Sequence, residues 1–179
     1  GNGAKDANET GLSNWTIVLI ANNTATTNEN GTYSFGNITP GNYTVSEVAK
    51  AGWINTTQNP VAVSITANST VQVNFGNFQT ASISGFVFND ANNNTLFDAN
   101  ETGLANRTVV LAGQANATAQ TNASGAYSFA NLLAGTYTVS HVIQANWTQT
   151  SPANGTYAII ITSGIASANN NFGNIQNST

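Results

Sequence analysis

The chain has 179 residues, of which only 6% are charged, and its formal net charge is −4. Soluble globular proteins carry roughly 25% charged residues, so uncharged polar side chains must hydrate this surface, and the sequence supplies 30 Asn, 25 Thr and 14 Ser. Three basic residues, Lys5, Lys50 and Arg107, are too few for a phosphate-binding patch, which argues against nucleic acid as a partner. The chain has no cysteine, and no apolar run approaches the ~18 residues of a membrane span.

Two copies of one unit follow each other along the chain. Five motifs recur in the same order, at offsets that grow from 92 to 97 residues, as small loop insertions would produce. We therefore expect two domains, at 1–78 and 82–179, joined by a short linker at 79–81. The recurring motifs are NETGL (Asn8–Leu12 and Asn100–Leu104), G-T/A-YSF (Gly31–Phe35 and Gly125–Phe129), G-N/T-YTV (Gly41–Val45 and Gly135–Val139), a Trp (Trp53 and Trp147) and NFGN (Asn74–Asn77 and Asn171–Asn174).

Repeat 2 opens with an apolar strand, ISGFVF at Ile83–Phe88, that has no counterpart in repeat 1. Repeat 1 is therefore expected to lack its first strand. Two sources of that strand stay open at this stage. It lies upstream in a longer protein, or a neighbouring molecule supplies it in trans and so builds a filament by strand donation.

An acidic loop follows the opening strand of repeat 2. In DANNNTLFDANE, side-chain oxygens fall at positions 1, 3, 5, 9 and 12 of twelve, and position 7 offers a backbone carbonyl, which is the spacing of an EF-hand calcium loop. Position 6, normally Gly, is Thr95, and we expect it to strain the turn. The alternative is a metal-free Asn/Asp-rich turn. The calcium ligands expected are Asp90, Asn92, Asn94, Leu96 (carbonyl), Asp98 and Glu101, with Asn2, Ala4 (carbonyl), Asp6 and Glu9 in the partial loop of repeat 1.

Short alternating runs separated by Gly, Asn and Pro fill the rest of each unit. Tyr137 and Val139 fall on one face of a strand, while Thr136, Thr138 and Ser140 fall on the other. Strands at roughly ten-residue spacing predict an all-β protein of two tandem antiparallel β-sandwiches. We expect the aromatic residues at matched positions to fill the two cores; they are Tyr33/Tyr127, Phe35/Phe129, Tyr43/Tyr137 and Phe75/Phe172.

N-glycosylation sequons are unusually frequent. There are sixteen, whereas 30 Asn and 39 Ser or Thr in 179 residues give a chance expectation of about six or seven. Such an excess predicts an exported protein that carries N-glycans, although an Asn/Thr-rich composition is the competing explanation. The sequon asparagines are Asn8, Asn14, Asn22, Asn30, Asn37, Asn42, Asn55, Asn68, Asn93, Asn100, Asn106, Asn116, Asn122, Asn146, Asn154 and Asn177.

The motif series FVFNDANNNTLFDANETGL, GAYSFANLLAGTYTV and NFGN closely resembles the B-type repeats of Sdr-like surface adhesins. The resemblance covers nearly the whole chain. It implies a transthyretin-like (Cna-B-type) Greek-key sandwich of seven strands, and calcium-rigidified stalk modules on extracellular proteins. The dense sequons differ from bacterial members of this family and favour an archaeal source.

Catalysis is not expected, because a catalytic site needs paired acids, an activated nucleophile or an open metal position. The one histidine is His141, and the acids outside the loops are Glu29 and Glu47. We expect an extracellular structural module of the cell surface, such as a stalk, sheath or filament subunit, with neighbouring repeats or like subunits as partners. The alternative is an adhesin that binds carbohydrate or another cell through its loops or through Trp15 and Trp53.

Overall fold

A computed structural model describes residues 5–20 and 23–178 of the chain. The predicted ligands Asn2 and Ala4 and the sequon at Asn22 lie outside the described residues. The chain divides into two compact units, Gly1–Phe78 and Gln79–Thr179. The described residues are all-β, as predicted, and they include no helix that could cross a membrane.

The described part of unit 1 contains six short strands, and the larger of its two sheets has the order β2-β1-β3-β5. The remaining strands, β4 and β6, pair with each other. A Thr/Val/Ile-rich composition favours these strands, and their burial alternates along the chain. The strands are β1 (Thr16–Leu19), β2 (Asn23–Thr26), β3 (Gly41–Glu47), β4 (Trp53–Asn55), β5 (Val61–Ile65) and β6 (Asn77–Gln79).

Unit 2 contains nine strands, which form two facing four-strand layers. One sheet has the order β10-β9-β12-β14, and the other has the order β11-β7-β15-β13, with β8 paired to β7. The strands are β7 (Ala81–Asn89), β8 (Thr102–Gly103), β9 (Thr108–Gly113), β10 (Ala117–Gln120), β11 (Ala126–Leu132), β12 (Gly135–His141), β13 (Trp147–Ser151), β14 (Thr156–Ile161) and β15 (Phe172–Gln176).

Strand β7 has a different role from the other strands of unit 2. It pairs antiparallel with β11, and it pairs in parallel with β15, where Phe172 faces Val87. The opening and closing strands of the unit are therefore neighbours, and they form a parallel pair in an otherwise antiparallel fold. Ile83, Val87 and Phe88 of β7 are completely buried.

The two cores are filled to different extents. In unit 2 the matched aromatic side chains Tyr127, Phe129, Tyr137 and Phe172 are all buried, within one cluster drawn from both sheets. In unit 1 the buried cluster consists of Ile17, Leu19 and Val45, and the aromatic residues packed against it are only partly buried. The aromatic positions of repeat 1 therefore face their core as predicted, but they are not fully covered.

A buried polar group lies at the end of the same strand in both units. Glu47 ends β3, and its carboxylate accepts hydrogen bonds from Asn55 Nδ2 (3.2 Å) and Asn77 Nδ2 (2.8 Å). His141 ends β12, and its Nε2 lies 2.8 Å from Asn174 Oδ1. The ring of His141 also packs on Phe172, with 4.9 Å between centroids, and its Nδ1 has no hydrogen-bond partner.

The two groups titrate in opposite senses for one physical reason, because burial disfavours the charged form of each. Burial raises the pKa of Glu47 above its ordinary value of 4.5, and the hydrogen bonds from Asn77 and Asn55 oppose this shift only in part. Burial lowers the pKa of His141 below its ordinary value of 6.5, and the hydrogen bond to Asn174 only partly opposes this effect.

We therefore expect the two units to respond to pH in opposite directions. The contribution of Glu47 to the stability of unit 1 is fully present below pH 4.5 and is lost as pH rises through its raised pKa. The contribution of His141 to unit 2 is present above pH 6.5 and is lost as pH falls toward its lowered pKa. Urea unfolding, followed through amide resonances assigned to each unit between pH 4.5 and 6.5, measures both trends.

Two variants serve as controls for this pH experiment. Glu47→Gln should flatten the pH dependence of unit 1 alone, and His141→Gln should flatten that of unit 2 alone. If both units change in the same sense, or if neither substitution removes its trend, this assignment is wrong.

Candidate metal loop and glycan sites

The acidic loop of repeat 2 is anchored to the centre of the sheet. It begins at Asp90, directly after β7, and returns through Glu101 into β8. The Asp90 backbone N–H donates to Asn174 O of β15 at 2.8 Å. The Asp90 side chain is completely buried, which is unusual for a carboxylate.

The carboxylates at the two ends of the loop fasten its backbone. Asp90 Oδ1 accepts from Asn94 N at 2.9 Å, and Asp90 Oδ2 accepts from Thr95 N at 3.0 Å. Glu101 Oε1 accepts from Ala91 N at 3.0 Å, and Glu101 Oε2 accepts from Asp98 N at 3.2 Å. Both partners of each carboxylate are neutral backbone amides, so these bonds leave the two negative charges uncompensated.

Asn92 and Asn94, in the middle of the loop, both form hydrogen bonds with Asp98. Its Oδ2 accepts from Asn92 Nδ2 at 2.9 Å and from Asn94 Nδ2 at 2.8 Å. These two hydrogen bonds hold the pKa of the Asp98 carboxyl below its ordinary value. The structure therefore brings the side chains at positions 3, 5 and 9 together through hydrogen bonds, and their role as ligands stays a prediction.

The donor set fits a hard cation by its chemistry, because every side chain that the spacing singles out carries oxygen and none carries sulfur or imidazole nitrogen. Its hydrogen-bonded arrangement is not a ligand cage. Across residues 5–20 and 23–178, no group of three Asp, Glu, His or Cys side chains is positioned to hold a metal ion. The Leu96 side chain is exposed, and its N–H donates to Asn94 Oδ1 at 2.8 Å.

Thr95 carries the strain expected at position 6. Its φ is +71°, a left-handed conformation that a β-branched residue rarely adopts. Asn93 is also left-handed, with φ +56°, but Asn tolerates this conformation well. The sharp turn of the loop is therefore made, at a conformational cost located at Thr95.

The partial loop of repeat 1 has the same closing turn as the loop of repeat 2. Asp6 N donates to Glu9 Oε2 at 3.0 Å, and Glu9 N donates to Asp6 O at 3.0 Å. The same pair of bonds joins Asp98 and Glu101. Asp6 and Glu9, the two predicted ligands of repeat 1 that the structure describes, thus adopt the geometry of their counterparts in the loop of repeat 2.

The sequons lie on the surface of the described units. Fifteen of the sixteen asparagines are described, and fourteen of those are exposed. Asn55 is the exception, because it is half-buried and its Nδ2, the atom that a glycan would occupy, donates to Glu47. Left-handed turn conformations account for part of the Asn content. The sequon residues with positive φ are Asn14, Asn37, Asn68, Asn93, Asn106 and Asn146.

The tryptophans do not form an open platform for sugars. Trp15 is buried, and it packs edge-on against Trp53 with 5.5 Å between ring centroids. The Lys50 ammonium lies 4.9 Å from the centroid of a Trp15 ring. In unit 2 the Arg107 guanidinium lies 4.6 Å from the ring of Trp147. A cation stacked on a ring is thus common to both units, and it uses ring surface that a sugar would need.

Two polar contacts were not predicted from the sequence. Tyr33 Oη donates to Val73 O at 2.8 Å, and Tyr127 Oη donates to Asn170 O at 2.6 Å. These two bonds are the first contact, made once in each unit. The second contact is the hydrogen bond between an Asn and the buried polar group of its unit, Asn77 with Glu47 and Asn174 with His141. All these residues lie in recurring motifs or immediately before one, so the repeat offset marks them as positions that both units use, but it does not show which of them meet.

A family model described as an SdrD B-like domain matches the chain twice, over residues 1–80 and 81–175. The serine-aspartate repeat-containing protein F of Staphylococcus epidermidis is 30% identical over 185 residues, an alignment that covers 91% of this chain and 11% of that protein. Protein E of the same series, from Staphylococcus aureus (strain MSSA476), is 30% identical over 169 residues, which cover 83% of this chain and 15% of that protein. The chain thus spans less than a sixth of either relative.

Solved structures with a detectable likeness include the Bacillus anthracis TIE protein, with a TM-score of 0.46 and 18% identity over 95% of this chain and 32% of that one. The shaft pilin SpaA from Lactobacillus rhamnosus GG aligns with a TM-score of 0.42 and 10% identity over 94% of this chain and 89% of that one. The two consecutive matches to the family model and the two curated relatives carry the assignment. The chain belongs to the SdrD B-like domain family, as two consecutive non-enzymatic repeats.

Proposed function

We propose that these repeats form a structural module of the cell surface, as part of a stalk, sheath or filament. The observation that supports this most directly is the family match over both repeats. The composition agrees with it, because with only 6% charged residues in the chain, Asn, Thr and Ser side chains and N-glycans attached to Asn would have to hydrate the surface. The buried position of Trp15 gives no support to the alternative of a carbohydrate-binding adhesin.

Surface exposure is testable on intact cells of the source organism. Antibodies against the 179-residue segment should label unpermeabilised cells, and protease treatment of intact cells should release peptides of the segment. Antibodies to a cytosolic protein control for lysis. Labelling that requires permeabilisation would contradict a surface location.

We further propose that the loop of repeat 2 binds a structural calcium ion. Asp90, Asn92, Asn94, Asp98 and Glu101 would hold it through side-chain oxygens, and Leu96 through its carbonyl. When bound, the ion would supply positive charge to three carboxylates whose hydrogen bonds come only from neutral groups. This charge is the contribution that the loop lacks, since carboxylates in one short loop repel each other unless a cation or a proton compensates them.

Calcium should therefore raise the stability of unit 2 in the full chain produced without glycans. At a calcium concentration of 100 times Kd, linkage predicts a gain of about 2.7 kcal/mol in the free energy of unfolding. Magnesium should have a smaller effect, because it demands a tighter octahedral site. Thermal unfolding with calcium, magnesium or a chelator measures these differences, and an unchanged midpoint of unit 2 would refute calcium binding.

Two variants separate calcium binding from strain in the loop. Asp98→Asn removes one carboxylate charge and keeps an oxygen that accepts the hydrogen bonds from Asn92 and Asn94, so it should reduce the calcium effect while leaving calcium-free stability within about 0.5 kcal/mol. Thr95→Gly should stabilise the calcium-free protein by about 1 kcal/mol, because glycine adopts a positive φ without steric cost. Asn93→Gly is the matched control, and we expect a change of only a few tenths of a kcal/mol.

We also propose that exposed sequons carry N-glycans in the native protein, and that its source is an organism that glycosylates its surface proteins densely, as archaea do. The sequon excess and the exposure of fourteen sequon asparagines support this. Glycans would hydrate a surface that has little charge of its own.

The glycan proposal predicts both a mass and a pattern. The intact mass of native material should exceed the sequence mass by several glycans, and glycopeptide mapping should find exposed asparagines occupied. Asn55 should be unmodified, because its Nδ2 already donates to the buried Glu47 carboxylate. A native mass equal to the sequence mass, or modification at Asn55 alone, would contradict the proposal.

A further inference from the structure

Unit 2 shows which strand completes this fold. Strand β7 lies between β11 and β15, antiparallel to the first and parallel to the second. In the register, Gly85 is opposite Tyr127, and Val87 is opposite Phe172. One strand therefore supplies backbone partners to two neighbours and seals the core between them.

The two neighbours of that strand have counterparts in unit 1, at residues 33–38 and 73–77. Tyr33 Oη donates to Val73 O, and this bond repeats the one from Tyr127 Oη to Asn170 O. The two segments are thus held across from each other in the same way in both units. Among the described residues of unit 1, no strand lies between them, and neither 33–38 nor 73–76 takes part in strand pairing.

Side-chain burial shows that this gap is open. Tyr127, Phe129 and Phe172 of unit 2 are 4%, 6% and 0% exposed. Their counterparts Tyr33, Phe35 and Phe75 are only partly buried, although the opposite sheet of unit 1 buries Ile17, Leu19 and Val45 fully. Tyr43 on the opposite sheet is also only partly buried, whereas its counterpart Tyr137 is 1% exposed, so the core that faces the gap is less covered on both sides than in unit 2.

We propose that unit 1 binds an extended polypeptide strand from outside this 179-residue sequence in the gap between residues 33–38 and 73–77. The strand runs antiparallel to the first segment and parallel to the second, and it carries apolar residues at the positions of Ile83 and Val87. The interface is already established within the molecule, because β7 occupies the equivalent position in unit 2. This inference does not depend on calcium or glycans.

The geometry also specifies one residue of the incoming strand. In unit 2 a Cβ added to Gly85 would lie 2.2 Å from Asn170 O, the carbonyl that accepts the Tyr127 hydroxyl. The strand passes under this hydrogen bond, and only glycine leaves enough room there. Unit 1 has the same bond between Tyr33 and Val73, so its strand needs glycine at the position that faces Tyr33.

A second copy of the chain is not the donor. Within the described residues, the strand with this pattern is β7, and its Ile83, Val87 and Phe88 are completely buried in unit 2. Donating β7 would open the core of its own unit. The occupant is therefore a separate β7-type segment, uncharged and with the pattern apolar–x–Gly–x–apolar.

The test is a titration of the full chain with a synthetic peptide of sequence Ala81–Asn89, carrying two terminal lysines for solubility. The peptide should bind with one-to-one stoichiometry and slow amide hydrogen exchange at residues 33–38 and 73–77, with no change in unit 2. A peptide with Gly85→Val should bind at least about tenfold more weakly, because the added side chain overlaps the hydrogen bond between Tyr33 Oη and Val73 O.

A fusion protein that carries the strand in the same chain provides a second, independent test. Residues 81–92 placed directly before Gly1 restore the order of strand and loop found in repeat 2, and the fusion should protect the same amides without added peptide. The proposal is overturned if neither peptide nor fusion protects these amides, or if the Gly85→Val peptide binds equally well. Protection of residues 33–38 in the peptide-free chain overturns it as well, since the gap is then filled by the chain itself or, if dimers are present, by a second copy.

Discussion

The pairing of one central strand with two neighbours is the interaction on which the rest of this structure depends. In unit 2, β7 pairs with both β11 and β15 and buries Ile83, Val87 and Phe88. Because it pairs on both edges, it orders two strands at once and closes the core between the sheets. The sheet β2-β1-β3-β5 of unit 1 matches β10-β9-β12-β14 of unit 2, and the hydrogen bond from Tyr33 to Val73 matches that from Tyr127 to Asn170. Unit 1 nevertheless has an open gap where unit 2 has β7.

The acidic loop depends on the same strand. Asp90 follows β7 directly, and its backbone N–H is held by β15, so the central strand aims the first carboxylate of the loop into the protein. The closing half of the loop needs no such support, because the turn between Asp6 and Glu9 forms in unit 1 through its own hydrogen bonds. A strand that completes unit 1 and continues as in repeat 2 would thus bring a counterpart of Asp90 to the turn between Asp6 and Glu9.

The sequence was a good guide wherever a local pattern or a repeat offset carried the information. Alternation predicted the strands, and the offset predicted two similar units. The loop spacing singled out Asn92, Asn94 and Asp98, which the structure brings together through hydrogen bonds, while calcium binding by them stays a prediction. The parallel pairing of β7 with β15 was not predictable, because residues 85 positions apart leave no local pattern. The partners of Glu47 and His141 were missed for the same reason, since only the folded sheets bring Asn77 and Asn174 beside them.

The core of unit 1 is open on the side that β7 closes in unit 2. Peptide-resolved amide hydrogen exchange of the untreated chain tests it most directly, by comparing residues 32–38 with their counterparts at 126–132. Exchange should be rapid at 32–38 and strongly slowed at 126–132, because only the second segment donates its amides to a paired strand. Equal protection of the two segments would contradict it.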